Sequence, residues 1–151
     1  MIEFVRGNIL QSDEDYVVVP VNCVGTPGKG LAEQWANQAS ERIVNAYKEA
    51  CDNDSLRPGH ILFFEDSQYI LAATKDHWLY PSEYEWIEDI LISLSDLSIK
   101  RRWWGENSKT VALPKLGCGL GQLKWKLVKP MMEYHLTQLP TPFIVYESFF
   151  L

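Results

Sequence analysis

The sequence is poor in cysteine, in excess basic charge and in long apolar runs, and each shortage excludes a class of protein. Only Cys23, Cys51 and Cys118 are cysteines, and they form no Cys-x-x-Cys pair. This spacing fits neither a disulfide framework nor a zinc site, so we expect reduced thiols and no bound metal. The formal net charge of -6 argues against a broad basic face for nucleic acid phosphates.

Membrane and secretion signals are also lacking. No apolar stretch reaches the ~18 to 20 residues that span a bilayer, and the first six residues read as a strand rather than a signal peptide. We therefore expect a cytoplasmic protein that makes no membrane contact.

The composition, 46% hydrophobic and 23% charged, is that of an ordinary globular protein and predicts one domain over residues 1–151. Apolar and β-branched runs predict strands at 2–5, 16–21, 61–64, 69–73, 110–113 and 143–146. The strand at 16–21 is nearly continuous in apolar residues, which is typical of a central strand covered on both faces.

Helical spacing of apolar residues predicts helices between these strands. One helix is expected from Leu31 to about Ala50, and a second is expected after Ser82, where Ser82 and Glu85 resemble a capping box. A third lies within 125–136, and its regular part is expected to start close to Pro130, since proline is disfavoured inside a helix. Helices interleaved with short strands imply an α/β fold with a mixed sheet and helices on both faces.

Two glycine-rich loops, at 25–30 and 117–121, each follow a predicted strand. Free backbone amides at such positions favour an anion, and ligands of open α/β sheets bind at the carboxyl ends of strands. Neither loop has the spacing of a P-loop or of the dinucleotide fingerprint, so ATP and NAD are disfavoured. The two loops together predict a clamp on one diphosphate, although either alone is also explained by tight turns.

Four segments, taken in order, resemble the macrodomain family. They are Gly7-Asn8-Ile9-Leu10, Val21-Asn22-Cys23-Val24-Gly25 running into Gly28-Lys29-Gly30-Leu31-Ala32, Ala73-Thr74-Lys75-Asp76-His77-Trp78, and Leu113-Pro114-Lys115-Leu116-Gly117-Cys118-Gly119-Leu120-Gly121. The segment at 73–78 is similar to the branch that holds the DarG-like DNA ADP-ribosyl glycohydrolases and the terminal ADP-ribose glycohydrolases. The likeness covers nearly the whole chain.

The resemblance implies a three-layer α/β/α sandwich with a mixed central sheet that binds ADP-ribose over the strand ends, without a cofactor or metal. Asn8 and Ile9 would lie near the adenine, and Asn22 near the distal ribose. The remaining ligand residues would come from the two loops: Gly25, Thr26, Gly28, Lys29, Gly30 and Leu31 around the distal ribose and diphosphate, and Gly117, Cys118, Gly119, Leu120 and Gly121 over the diphosphate. Lys75 matches the catalytic lysine of the family.

One position separates the two activities within this branch. The protein-directed glycohydrolases carry an acidic residue in the second loop where this sequence has Gly121, whereas DarG-like macrodomains have glycine there. Asn8 is likewise shared with the DarG-like group. The resemblance therefore favours DNA-linked ADP-ribose as the substrate.

Lys75 has two chemical roles open to it at the anomeric carbon. A neutral amine would be a nucleophile, and a protonated amine would stabilise the departing base. His77, two residues on, would face the same side if the strand persists, as a proton shuttle or substrate contact; a surface or packing role is the alternative. Cys118 is interpreted as a small apolar filler rather than a nucleophile. Trp103 and Trp104, beside Arg101 and Arg102, are interpreted as a helix end with packed tryptophans rather than a base-stacking patch.

Three functions remain open from the sequence. The first is removal of ADP-ribose from modified DNA bases, which would make the protein antitoxin-like, with single-stranded DNA as substrate and a possible toxin partner. The second is hydrolysis of a Glu or Asp ester of ADP-ribose on protein, or of a small ADP-ribose derivative. The third is a reader that binds ADP-ribose without chemistry. A monomer is expected in each case.

Overall fold

The computed structural model describes residues 1–148 and contains six strands and four α-helices. The strands are β1 Ile2–Val5, β2 Tyr16–Val21, β3 Ile61–Phe63, β4 Tyr69–Ala73, β5 Val111–Pro114 and β6 Phe143–Tyr146. The helices are α1 Leu31–Gln38, α2 Glu41–Asp52, α3 Tyr84–Arg101 and α4 Trp125–Leu136. Short 3-10 turns at Ile9–Gln11 and Gly105–Asn107 complete the chain. Within the described residues, no helix combines the length and apolar character needed to cross a membrane.

The strands form one mixed sheet in the order β1-β6-β5-β2-β4-β3. All neighbouring pairs are parallel except β3 with β4, which form an antiparallel hairpin. Strand β2 lies near the centre, between β5 and β4. The predicted mixed sheet is confirmed, and its parallel strands bring the ends of β2, β4 and β5 to one edge.

Helices cover both faces of the sheet, which confirms the three-layer α/β/α sandwich. Side chains alternate along β2, so Val18 faces a core built with α3 and α4. Val17 and Val19 face a second core built with α1 and α2. All three valines are at most 1% exposed, as predicted for a strand covered on both faces.

The single helix predicted from Leu31 to about Ala50 is wrong, because the structure has two helices there. Ala39 has ψ of 156°, an extended value that ends α1. Ser40 then caps α2, where its hydroxyl oxygen accepts a hydrogen bond from the amide of Ile43. A serine at such a site satisfies one of the open amides of a helix start. The apolar stripe continues across the break, which is why spacing alone does not reveal it.

The predicted capping box at Ser82 is also wrong. Helix α3 begins at Tyr84, and the residue at its N-cap is Glu83, whose side chain makes no capping bond. Ser82 is 5% exposed, and its amide donates to the carbonyl of Gly121 at 2.9 Å. Ser82 therefore holds the second glycine loop rather than the helix start.

Pro130 lies inside α4, which runs regularly from Trp125. The prediction that the regular helix starts near Pro130 is therefore wrong. Pro130 and Lys126 are both exposed, so water can satisfy the Lys126 carbonyl, the group a residue with an amide hydrogen at 130 would bond. Three strand ends also shift by one residue. Strand β5 starts at Val111, because the Thr110 amide donates to the Asp15 carboxylate, and it extends to Pro114, which pairs with Tyr146. Strand β3 ends at Phe63, because the Phe64 carbonyl accepts from Ser67 in a turn.

Candidate functional site

The two glycine loops line a single cavity of about 590 Å³ at the edge where β2 and β5 end. Because these strands are parallel neighbours, the loops that follow them start side by side. The volume falls within the ~300–1,000 Å³ of ordinary small-molecule sites. The cavity is lined by most of the predicted ligand residues: Ile9, Asn22, Gly28, Lys29, Gly30, Leu31, Gly117, Cys118, Gly119, Leu120 and Gly121, and by Lys75.

Three predicted ligand residues, Asn8, Gly25 and Thr26, lie outside this lining. The Asn8 side chain accepts from the amide of Leu10 at 3.0 Å, which fixes the 3-10 turn that carries Ile9. Gly25 is buried against Cys51 and the backbone of Lys48. Thr26 is exposed. The structure thus gives Asn8 and Gly25 positions that shape the cavity without facing it.

Asn22 organises the first loop from its base. It is 4% exposed, and its side-chain oxygen accepts from the amide of Val24 at 3.0 Å and from the hydroxyl of Tyr47 at 2.9 Å. Its side-chain nitrogen donates to the carbonyl of Thr26 at 2.6 Å. Asn22 also lines the cavity, and its amide nitrogen carries a second hydrogen besides the one donated to Thr26.

The second loop is closed so tightly that position 121 has no room for a side chain. A Cβ at Gly121 would lie 2.4 Å from the Gly117 carbonyl oxygen and 2.5 Å from the Ser82 hydroxyl oxygen. Gly117 itself has a φ of 74°, a left-handed conformation that glycine adopts at least cost. An acidic residue at 121 therefore requires a different loop, not only a different side chain.

Lys75 lies just beyond the end of β4 and faces the cavity. Its ammonium nitrogen donates to the carbonyl of Trp78 at 3.2 Å. Partial burial lowers the pKa of Lys75 below its usual value, because desolvation disfavours the charged amine. The neutral amine is therefore reached at a lower pH than for a fully solvated lysine.

His77 is not among the residues that line the cavity. Strand β4 ends at Ala73, so the strand alternation that would align His77 with Lys75 is not present. Instead the His77 Nδ1 atom accepts from the amide of Leu79 at 3.0 Å. A role for His77 in substrate contact stays a prediction. Because Nδ1 accepts this bond, a neutral His77 ring carries its proton on Nε2.

All charged side chains in the described lining are lysines: Lys29, Lys75 and Lys115. This local excess contrasts with the net charge of -6 for the chain. Together with backbone amides from the loops, the lysines form a setting suited to a diphosphate. Among residues 1–148, no three His, Cys, Asp or Glu side chains are grouped to hold a metal ion.

The sequence did not identify several lining residues, including Pro20, Thr74, Trp78, Leu79, Pro114, Lys115, Gln122 and Tyr146. Four of them, Pro20, Thr74, Pro114 and Tyr146, lie at or next to the carboxyl ends of strands. That rule alone was a sufficient signal for them. The Tyr146 hydroxyl donates to Glu14 at 3.1 Å. Burial, and to a smaller extent the negative charge of Glu14, raise the pKa of Tyr146 to about 12.

Cys118 and Trp103, for which the sequence allowed either a chemical or a packing role, both have the surroundings of packing residues. Burial raises the pKa of the Cys118 thiol to about 11, so it remains a thiol near neutral pH, where a reactive cysteine would be a thiolate. Trp103 is 3% exposed and stacks on Tyr16 at 4.7 Å between ring centroids. The interpretation of packed tryptophans at a helix end is confirmed for Trp103, whereas Trp104 is only half-buried.

Comparison with known proteins places this geometry in a family. The sequence profile of the family described as "Macro domain" matches residues 18–132. The chain is 33% identical over 149 residues to a DNA ADP-ribosyl glycohydrolase of Thermus aquaticus. The aligned region covers 92% of this chain and 39% of that protein. It is 34% identical over 146 residues to the DNA ADP-ribosyl glycohydrolase of Mycobacterium tuberculosis, covering 93% and 40%. The chain thus spans about two fifths of the curated relatives it matches.

Solved structures agree with the sequence comparison. The macrodomain of Thermus aquaticus DarG superposes with a TM-score of 0.86 at 34% identity, covering 98% of this chain and 99% of that one. Thermosipho africanus DarTG in complex with ADP-ribose superposes with a TM-score of 0.83 at 31% identity, covering 96% of this chain and 41% of that one.

Proposed function

The chain belongs to the macrodomain family, and we propose that it binds ADP-ribose and removes it hydrolytically from modified bases of DNA. The observation that carries this proposal is the single cavity in which two glycine loops meet beside Lys75. Relatives at 33% and 34% identity are named DNA ADP-ribosyl glycohydrolases, which supports the choice of DNA. Cellular DNA as substrate implies action in the cytoplasm.

The ligand is expected to lie along the cavity, with its adenine near Ile9 and its distal ribose near Asn22 and Lys75. The diphosphate then lies between the loops, where backbone amides and Lys29 supply donors and positive charge. Thermosipho africanus DarTG, which shares this fold, was solved with ADP-ribose. This arrangement leaves the anomeric carbon of the distal ribose beside the amine of Lys75.

We propose that Lys75 acts as a neutral nucleophile. Its amine attacks the anomeric carbon, the bond to the base nitrogen breaks, and the electron pair leaves with that nitrogen, which takes a proton from the attacking amine. Water then displaces the lysine and returns the free amine, so the net reaction consumes one water. A lowered pKa and the lack of a carboxylate among the described lining residues both favour the neutral amine.

A DNA ADP-ribosyl transferase is the enzyme class that must supply such a substrate. One relative, from Thermosipho africanus, is a fusion of a DNA ADP-ribosyl transferase with a DNA ADP-ribosyl glycohydrolase and is 32% identical over 171 residues. We propose that a transferase of this class is the toxin that the present activity counteracts.

The test compares release of labelled ADP-ribose from modified single-stranded DNA and from a protein modified on glutamate. We expect release from the DNA. Release only from the protein would favour an ester hydrolase, and release from neither, with ADP-ribose still bound, would indicate a reader. Calorimetry with ADP-ribose, ATP and NAD checks the ligand independently, and equal binding of all three would contradict the proposal.

A further inference from the structure

Exposed aromatic side chains stand together at one rim of the cavity. Trp78, Leu79 and Tyr80 are 48%, 61% and 64% exposed, and Trp78 and Leu79 line the cavity beside Lys75. The His77 ring joins them, with its centroid 5.0 Å from that of Trp78 and 5.5 Å from that of Tyr80. We call residues 77–80 the aromatic rim. Contiguous exposed apolar surface of this kind marks a binding surface more often than a lone exposed residue does.

Hydrogen bonds hold the aromatic rim in a defined turn. The amide of Leu79 donates to the His77 Nδ1 atom at 3.0 Å, and the amide of Tyr80 donates to the His77 carbonyl at 3.1 Å. Lys75 donates to the Trp78 carbonyl at 3.2 Å. The rings are thus presented on an ordered backbone tied to the amine that faces the cavity, which lowers the entropy cost of stacking a ligand on them.

On its cavity side, the aromatic rim lies next to positive charge, which favours an anionic partner there. The charged residues of the adjoining cavity are Lys29, Lys75 and Lys115. Asp76, which precedes the rim in the chain, is exposed and lines a different, smaller cavity of about 220 Å³. A polyanion that leaves the main cavity past Lys75 therefore meets flat rings next to positive charge.

We propose that the aromatic rim stacks unpaired nucleobases adjacent to the ADP-ribosylated base, which makes Trp78 and Tyr80 the side chains by which the enzyme distinguishes a modified strand from a free modified nucleoside. The inference rests on the proposed function: if the bond to be cut lies beside Lys75, the strand attached to the base starts next to Trp78, whose carbonyl accepts from the Lys75 amine. Aromatic side chains bind unpaired bases through their π faces without sequence preference, and each base adds a substantial share of the affinity. In a duplex those faces are covered by stacking.

The experiment compares three substrates that carry the same modified base: the modified nucleoside, a single strand of about ten nucleotides and that strand annealed to its complement. For the wild type, we expect kcat/KM on the single strand to exceed the values on the other two by about tenfold or more. Tyr80→Ala and Trp78→Ala should each reduce the ratio of single strand to nucleoside by about tenfold, and Trp78→Phe should retain most of it.

Tyr134→Ala is the matched control, because Tyr134 is a tyrosine on α4 that is 80% exposed and does not line the cavity. It should leave the ratio at the wild-type value. ADP-ribose affinity, measured by calorimetry, reports whether each variant still folds its cavity. A ratio unchanged in both Tyr80→Ala and Trp78→Ala would overturn the inference, as would equal wild-type rates on nucleoside and strand. No release from any DNA substrate would instead overturn the proposed function itself.

Discussion

The side-chain oxygen of Asn22 accepts a hydrogen bond of 2.9 Å from the hydroxyl of Tyr47, and this contact ties the first glycine loop to helix α2. Tyr47 is fully buried, and its single hydroxyl proton is shared between this oxygen and the Asn22 backbone carbonyl, which is also 2.9 Å away. Burial raises the pKa of Tyr47, so the phenol keeps its proton and remains the donor. The base of this loop is therefore held by a buried tyrosine that is not part of the cavity lining.

Asn22→Ala should weaken both the loop and the ligand site. It removes the acceptor for the Val24 amide and the donor to the Thr26 carbonyl, at an expected ~1–3 kcal/mol of unfolding free energy. ADP-ribose affinity should fall by about tenfold or more, since one such bond is worth about that factor. Denaturant unfolding and calorimetry measure the two effects. Wild-type affinity in the variant would show that the loop is held without Asn22.

Gly121→Ala should destabilise the protein by about 1–3 kcal/mol, the usual cost of inserting atoms into a filled space. The added Cβ would meet the Gly117 carbonyl and the Ser82 hydroxyl. Gly119→Ala is the matched control in the same loop, because a Cβ there meets nothing within 4 Å. Chemical denaturation should separate the two variants. Equal stability would mean that the second loop shifts to accept a side chain at 121.

The position of the site was predictable because it follows from strand order and loop chemistry. Apolar runs marked β2 and β5, and parallel strands end at one edge, so the loops at 25–30 and 117–121 were expected together. The resemblance to the macrodomain family added Lys75 beside them. The structure places all three around one cavity. The pairing of the loops needed only the direction of each strand, which the pattern of elements supplies.

The details that sequence reasoning missed depend on contacts between distant residues. Serine is a residue type that often caps helices, yet the amide of Ser82 donates to the carbonyl of Gly121. This pairing becomes visible only once the loop is folded. Position 77 lost its strand alternation because β4 ends at Ala73. Exposure of Trp78 and Tyr80 was equally hidden, since an aromatic residue in a sequence is by default a core candidate.

Lys75→Ala should abolish release of ADP-ribose while changing ADP-ribose affinity by no more than about threefold, because the loops supply most of the binding. Lys75→Arg is the informative companion. Arginine keeps a positive charge and is effectively always protonated, so it cannot serve as the nucleophile and should also lose at least about 100-fold in kcat/KM. Single-turnover assays measure both. Substantial activity in the arginine variant would assign Lys75 to charge stabilisation instead.

The pH dependence of kcat/KM gives an independent check on the state of Lys75. Its pKa is lowered by burial, so the neutral amine gains population as pH rises and does so earlier than in an ordinary lysine. For a neutral nucleophile, kcat/KM should therefore rise with pH below the ordinary lysine pKa of about 10.4 and level off before that pH is reached.

Two other titratable groups of the cavity stay out of this window. Burial raises the pKa of Cys118 to about 11, and burial with Glu14 raises that of Tyr146 to about 12, so both remain protonated while Lys75 titrates. The rate of release without enzyme is measured at each pH and subtracted, which corrects for spontaneous breakdown of the substrate. A kcat/KM that falls as pH rises through the same range would require the protonated amine, and the attack by Lys75 on the anomeric carbon would have to be abandoned.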